Sequence, residues 1–259
     1  MFDKFSKFLM PIAGKLNNNR YLAVLRDAFM LAFPLTVFGS MVVVLLNLPF
    51  LDSILSDSTI ATLRDTFGVA QSATMSIMTV FVVFGIGYYL SKSYNVEAVF
   101  GGVVALASFL FLTPFVIETD GGETVSSVLS LDRLGAKGMF LGMITGFVAG
   151  EIYRKAVQKD ITIKMPAGVP PAVAKSFAAL IPAFITLTVF LALHAIVTLA
   201  FHTNLHDVIY EVIQAPLTGL GGGIIPTLIV VFLIQILWFF GLHGQIIMNS
   251  VMDPIWNTL

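Results

Sequence analysis

The residue best placed to do chemistry is His243, which sits between glycines in the stretch WFFGLHGQ, residues 238–245. Gly241 and Gly244 permit backbone geometry and close approaches that other residues resist. A helix stopping near Gly241 leaves backbone carbonyls free, and membrane depth tolerates these only where they line a cavity or meet protein. If helix resumes after Gly244, then Gln245, Asn249 and Asp253 recur every fourth residue on one face, opposite Ile246, Ile247 and Val251. His243, Gly244, Gln245, Asn249 and Asp253 therefore form a candidate substrate-binding row with the imidazole at its mouth. Such a row of donors and acceptors suits sugar hydroxyls, which need both from their partners. The plainer alternative is that His243 caps a helix end in the polar interface.

Other polar residues carry less. His194 lies inside the apolar run FLALHAIVTL. An ionisable group there marks a functional site by default, and the alternative is a neutral imidazole bonded to a neighbouring helix. His202 and His206 read as solvated at the outer interface. No Gly-rich phosphate loop with a lysine, no paired-histidine metal motif and no Gly-x-Ser-x-Gly elbow occurs, so no catalytic residue, metal or cofactor is expected. Cysteine is absent, which excludes disulfides, thiolate metal sites and a cysteine nucleophile. No carboxylate stands in the middle of an apolar run, which argues against proton coupling.

The elements that must position these residues are membrane helices. Of 259 residues, 57% are hydrophobic and 11% charged, against roughly 25% charged in soluble domains. The mean hydropathy is +0.93. A soluble interior cannot hold this much apolar surface, so lipid is the main solvent. A net charge of −1 gives no sign of nucleic-acid binding. Apolar runs predict six spans, at 28–48, 70–90, 98–117, 135–153, 177–201 and 223–240, each helical because a helix satisfies its own backbone. The fold class is thus all-α and polytopic, with interfacial amphipathic helices at the N-terminus (Phe2, Phe5, Phe8, Leu9, Ile12) and at 204–223, where Leu205, Val208, Ile209, Val212 and Ile213 share a face. The small-residue runs GGVVALAS (101–108) and GMFLGMITGFVAG (138–150) predict close helix packing. With the N-terminus in the cytoplasm, eleven basic residues fall inside and only Arg64, Arg133 and Lys137 outside, as the positive-inside rule requires. The last residues read as the unfinished start of a re-entrant hairpin, and so as the first part of a longer protein.

Three segments carry a family resemblance: FDKFSKFLMPIAGKLNNNRYLAVLRDAFMLAFPLTVFGS, KMPAGVPPAVAKSFAALIPA and FFGLHGQ, in this order. They resemble the membrane IIC component of the bacterial phosphotransferase system, in its lactose/cellobiose/diacetylchitobiose branch. The resemblance implies a multi-pass permease of the bacterial cytoplasmic membrane. It would translocate a β-linked disaccharide whose 6-hydroxyl is phosphorylated by a IIB partner, itself recharged by IIA. The phosphorylated residues belong to those partners. It also implies a homodimer, with residues 1–201 contributing the dimer interface and residues 202–259 beginning the sugar-binding part. The histidine of the GLHG motif, here His243, would contact sugar, and an acidic sugar ligand would lie past Leu259. An ion-coupled sugar transporter and a non-transporting dimeric fragment are the competing readings.

Overall fold

A computed structural model describes residues 19–118, 121–214 and 222–239, with the single positions 248, 252, 255 and 256. α1 (Arg20–Leu46) starts where Asn19 accepts hydrogen bonds from the Tyr21 and Leu22 amides at 2.9 and 3.2 Å. Three short helices follow: α2 (Leu51–Ile54), α3 (Asp57–Phe67) and α4 (Val69–Ser72). A 3-10 turn then leads into α5 (Met78–Ser93) and α6 (Ala98–Leu112). Two strands, β1 (Val116–Glu118) and β2 (Thr124–Ser126), pair antiparallel with Ile117 opposite Val125. The chain continues through α7 (Leu131–Leu134), α8 (Met139–Gln158), α9 (Pro171–Phe201) and α10 (Leu205–Ile209). A π-helical turn (Tyr210–Gln214) follows α10, and α11 (Ile224–Phe239) is the last long helix among the described residues.

Each of the six expected spans coincides with a helix. Arg20–Leu46, the stretch Asp57–Ser93 and Pro171–Phe201 are long and apolar enough to cross a bilayer, while Ala98–Leu112 and Ile224–Ile236 are shorter apolar helices. The third span ends earlier than its hydropathy suggests. Thr113 precedes Pro114, and a residue before proline is driven out of the helical region. Phe115 and Val116, apolar enough to be read as helix, instead open the hairpin. The fifth span starts earlier than expected because Pro171 occupies its first turn, where the missing amide costs nothing.

α5 is the centre of the packing, touching α1, α6 and α8. Its Val82, Val83, Ile86 and Leu90 are completely buried. Glycines set the approach distances. A Cβ on Gly85 would lie 2.9 Å from the Ala28 Cα of α1, and one on Gly87 would lie 2.5 Å from the Ala105 Cβ of α6 and closer still to the Gly101 carbonyl. Along α8, Gly142, Gly146 and Gly150 face Val83, Ile86 and Leu90 in turn. The small-residue runs are therefore helix contacts, as their spacing predicts. α9 closes the bundle on α6 and α8 through Ala179, Thr186 and Phe190. Large side chains on the outward faces stay exposed, among them Phe33, Phe38 and Met41 on α1 and Phe184, Leu191 and Leu199 on α9. Such faces belong in lipid or against protein.

The 204–223 segment departs from its expected amphipathic face. Leu205 and Ile209 do pack inward, but Val208 and Val212 are exposed and His206 is buried in their place. The N-terminal amphipathic segment lies outside the described residues.

Because the atom facing Gly87 is a backbone carbonyl that cannot rotate away, Gly87→Ala should destabilise the full-length protein by about 1–3 kcal/mol. Thermal unfolding in detergent reads this as a lowered midpoint, and an unchanged midpoint contradicts the packing described.

Candidate functional site

The expected substrate row, His243, Gly244, Gln245, Asn249 and Asp253, lies outside the described residues. What leads to it is described. Met252 is buried against Val230 and Ile234 of α11, and Met248, Ile255 and Trp256 pack around the same contact. Met248, Met252, Ile255 and Trp256 thus lie alongside residues some twenty positions earlier in sequence. In a lipid setting such a contact is held by the fit of apolar side chains to one another rather than by their removal from water.

A polar cavity lies at the other end of the bundle from Arg20. It measures about 740 Å³ and is lined by the hairpin, the α7 region and α10. His206 is its most buried polar side chain, 3% exposed. Its Nε2 lies 3.0 Å from Thr113 Oγ1. That hydroxyl already donates its one proton to the Phe109 carbonyl at 2.9 Å. Thr113 therefore accepts from His206, whose proton sits on Nε2. The Nδ1 atom is left as a buried acceptor with no hydrogen-bond partner among the described residues. Burial pushes the imidazole pKa down to about 4, Arg133 adds to the effect and Asp207 opposes it. His206 is thus neutral and enclosed rather than solvated, a correction to the sequence expectation. Around it Lys137 pairs with Asp132 at 3.2 Å and Arg133 with Asp207 at 3.6 Å.

A second cavity, about 750 Å³, runs along α9 and is lined by His194, Thr198 and His202 with Phe111 and Leu191. His194, partly buried, therefore faces a cavity within its span. Among the described residues no cluster of histidine and carboxylate groups is spaced to hold a metal ion.

The opposite end of the bundle is tied by charge. The Tyr94 ring lies between two guanidinium groups, 3.9 Å from Arg20 and 3.7 Å from Arg154. Arg154 binds Glu151 at 2.6 Å, and Glu151 also accepts from the Tyr21 hydroxyl at 3.2 Å. These contacts join the start of α1, the α5–α6 turn and the end of α8. Gln158 of α8 reaches the Tyr94 carbonyl, and Lys175 of α9 pairs with Glu97 at 2.8 Å. They are structural ties between helix ends.

His206 gives a pH signature. Its pKa is about 4 folded and 6.5 unfolded, so the unfolded chain binds more protons between these values and stability rises with pH there. The contribution is complete above pH 6.5, declines as pH falls through the window and is gone at about pH 4. His206→Gln should remove about 3 kcal/mol of that pH dependence. The check is the difference between wild-type and variant unfolding curves from pH 7 to 4, and parallel curves contradict a neutral buried imidazole.

The comparisons with known proteins agree with this architecture. A family model described as phosphotransferase system, EIIC matches residues 26–259. The chain is 74% identical to the oligo-beta-mannoside-specific EIIC component of Bacillus subtilis (strain 168), over 100% of this chain and 59% of that protein. It is 38% identical to the cellobiose-specific EIIC component of Geobacillus stearothermophilus, over 99% of this chain and 59% of that protein. The crystal structure of the transporter ChbC, the IIC component from the N,N'-diacetylchitobiose-specific phosphotransferase system, superposes with a TM-score of 0.87 at 38% identity. It covers 97% of this chain and 60% of ChbC. The chain therefore spans about six-tenths of the length of the relatives it matches. With a matched family model over nearly its whole length and a helical membrane architecture in common with a solved IIC transporter, the chain belongs to the EIIC family of the phosphotransferase system.

Proposed function

We propose that this chain is the first part of a sugar permease that carries a β-linked disaccharide or short oligosaccharide across the cytoplasmic membrane, coupled to its phosphorylation by a IIB partner that IIA recharges. The observation that carries this reading is the 74% identity with an oligo-beta-mannoside EIIC component along the whole chain. It favours a β-mannoside or β-glucoside substrate over lactose. The packing of Met248, Met252, Ile255 and Trp256 on α11 supports a re-entrant hairpin beginning at the GLHG motif. Residues 1–201 serve as the scaffold and dimer interface, and residues 202–259 begin the sugar site, with His243, Gly244, Gln245, Asn249 and Asp253 as its ligands.

The physics of the step is simple. Hydroxyls are costly to strip of water unless each finds a partner. A protein-enclosed polar pocket supplies those partners, and moving the pocket as a unit changes the side to which it opens. Phosphorylation then adds charge, so the product no longer suits a site built for neutral sugar. Direction comes from this trapping. The eleven-to-three distribution of basic residues supports a cytoplasmic N-terminus. On that reading the end of the bundle tied by Tyr94 faces the cytoplasm and the His206 cavity faces outward.

In the full-length protein, His243→Ala should weaken binding of cellobiose or β-mannobiose about tenfold or more in calorimetry, with dimer mass unchanged by light scattering. Unaltered affinity removes His243 from the site, and uptake into vesicles driven by an ion gradient without IIB contradicts group translocation. None of these 259 residues is cysteine, so once any cysteine elsewhere in the full-length protein is replaced, single substitutions report orientation. An impermeant maleimide added outside intact cells should label Ser126→Cys and leave Lys159→Cys unlabelled, and the reverse pattern inverts the topology.

A further inference from the structure

We propose that the cavity around His206 is a second saccharide-binding site, on the face opposite the N-terminal end of α1, that takes a neutral, hydroxyl-rich sugar. This rests on the permease reading above. Four observations carry it. The volume, about 740 Å³, is in the range of small-molecule sites, roughly 300–1,000 Å³. Its charges balance: Asp132 and Asp207 against Arg133 and Lys137, already paired with one another. An ion gains no net attraction there, whereas a neutral polyol finds both donors and acceptors. The third observation is His206 itself, which lines the cavity as an imidazole held by Thr113 and so adds no charge to it; its Nδ1 is closed off from solvent and is not one of the ligand groups. The fourth is Tyr210, which lines the same cavity and is substantially exposed. Its ring offers an apolar face for the C–H side of a pyranose.

The site also continues. The cavity along α9 shares Pro114, Val116 and Asn204 with the first. Beyond these shared residues the second cavity follows the outer side of α9, where His202, Thr198 and His194 alternate with apolar side chains.

The test is equilibrium dialysis of radiolabelled cellobiose and β-mannobiose against the full-length protein in lipid nanodiscs. Two classes of site per protomer are expected. Tyr210→Ala should weaken the lower-affinity class about tenfold, and His206→Leu, which alters the cavity wall, should weaken it as well. Both should leave the tight class intact, and His243→Ala should do the reverse. Tyr210 is exposed, so its variant keeps the test decisive if His206→Leu fails to fold. A single class of site untouched by either variant overturns the second site and leaves the permease reading standing. Absence of any disaccharide binding in the wild type overturns both.

Discussion

Everything in the described bundle depends on how closely other helices approach α5. In lipid there is no hydrophobic force to press one apolar helix against another, because the tails are as apolar as the side chains. Cohesion must come from dispersion over well-fitted surfaces, where each atom pair contributes only about 0.1–0.2 kcal/mol. Glycine is what lets the count of such pairs rise. Gly85 brings α1 to α5, Gly87 and Gly101 bring α6, and Gly142, Gly146 and Gly150 bring α8. The valines and isoleucines of α5 fill the space left over, and a rigid scaffold results from residues that individually do little.

That scaffold holds its polar groups at its two ends, and the ends differ. At one, arginines, tyrosines and a glutamate are spent on each other around Tyr94. At the other, a neutral imidazole is half satisfied and charged pairs surround open space. The first arrangement fixes geometry. The second leaves room between paired charges, which suits a bound solute rather than a fixed joint.

The spans were legible because hydropathy is a local property, and each expected run met a helix. The errors came where tertiary contact or local stereochemistry decides. Pro114 stops α6 through its effect on Thr113, although Phe115 and Val116 are as greasy as the helix before them. The two-strand hairpin was invisible because three-residue strands leave no periodic trace. His206 looked solvated because it follows Asn204 and precedes Asp207, and nothing in that neighbourhood announces a contact with Thr113, more than ninety residues away. The GLHG histidine differs in kind. Its glycines and its every-fourth-residue polar sequel make a local pattern visible in sequence, while its surroundings lie outside the described residues.

The fold-back at Met252 has a mechanical meaning. Val230 and Ile234 form one stripe of α11, and the stripe is occupied by the chain's own later residues. α11 cannot slide or roll without shearing that seam. Any displacement of α11 therefore carries Met248, Met252, Ile255 and Trp256 along with it, so helix and later residues act as one lever.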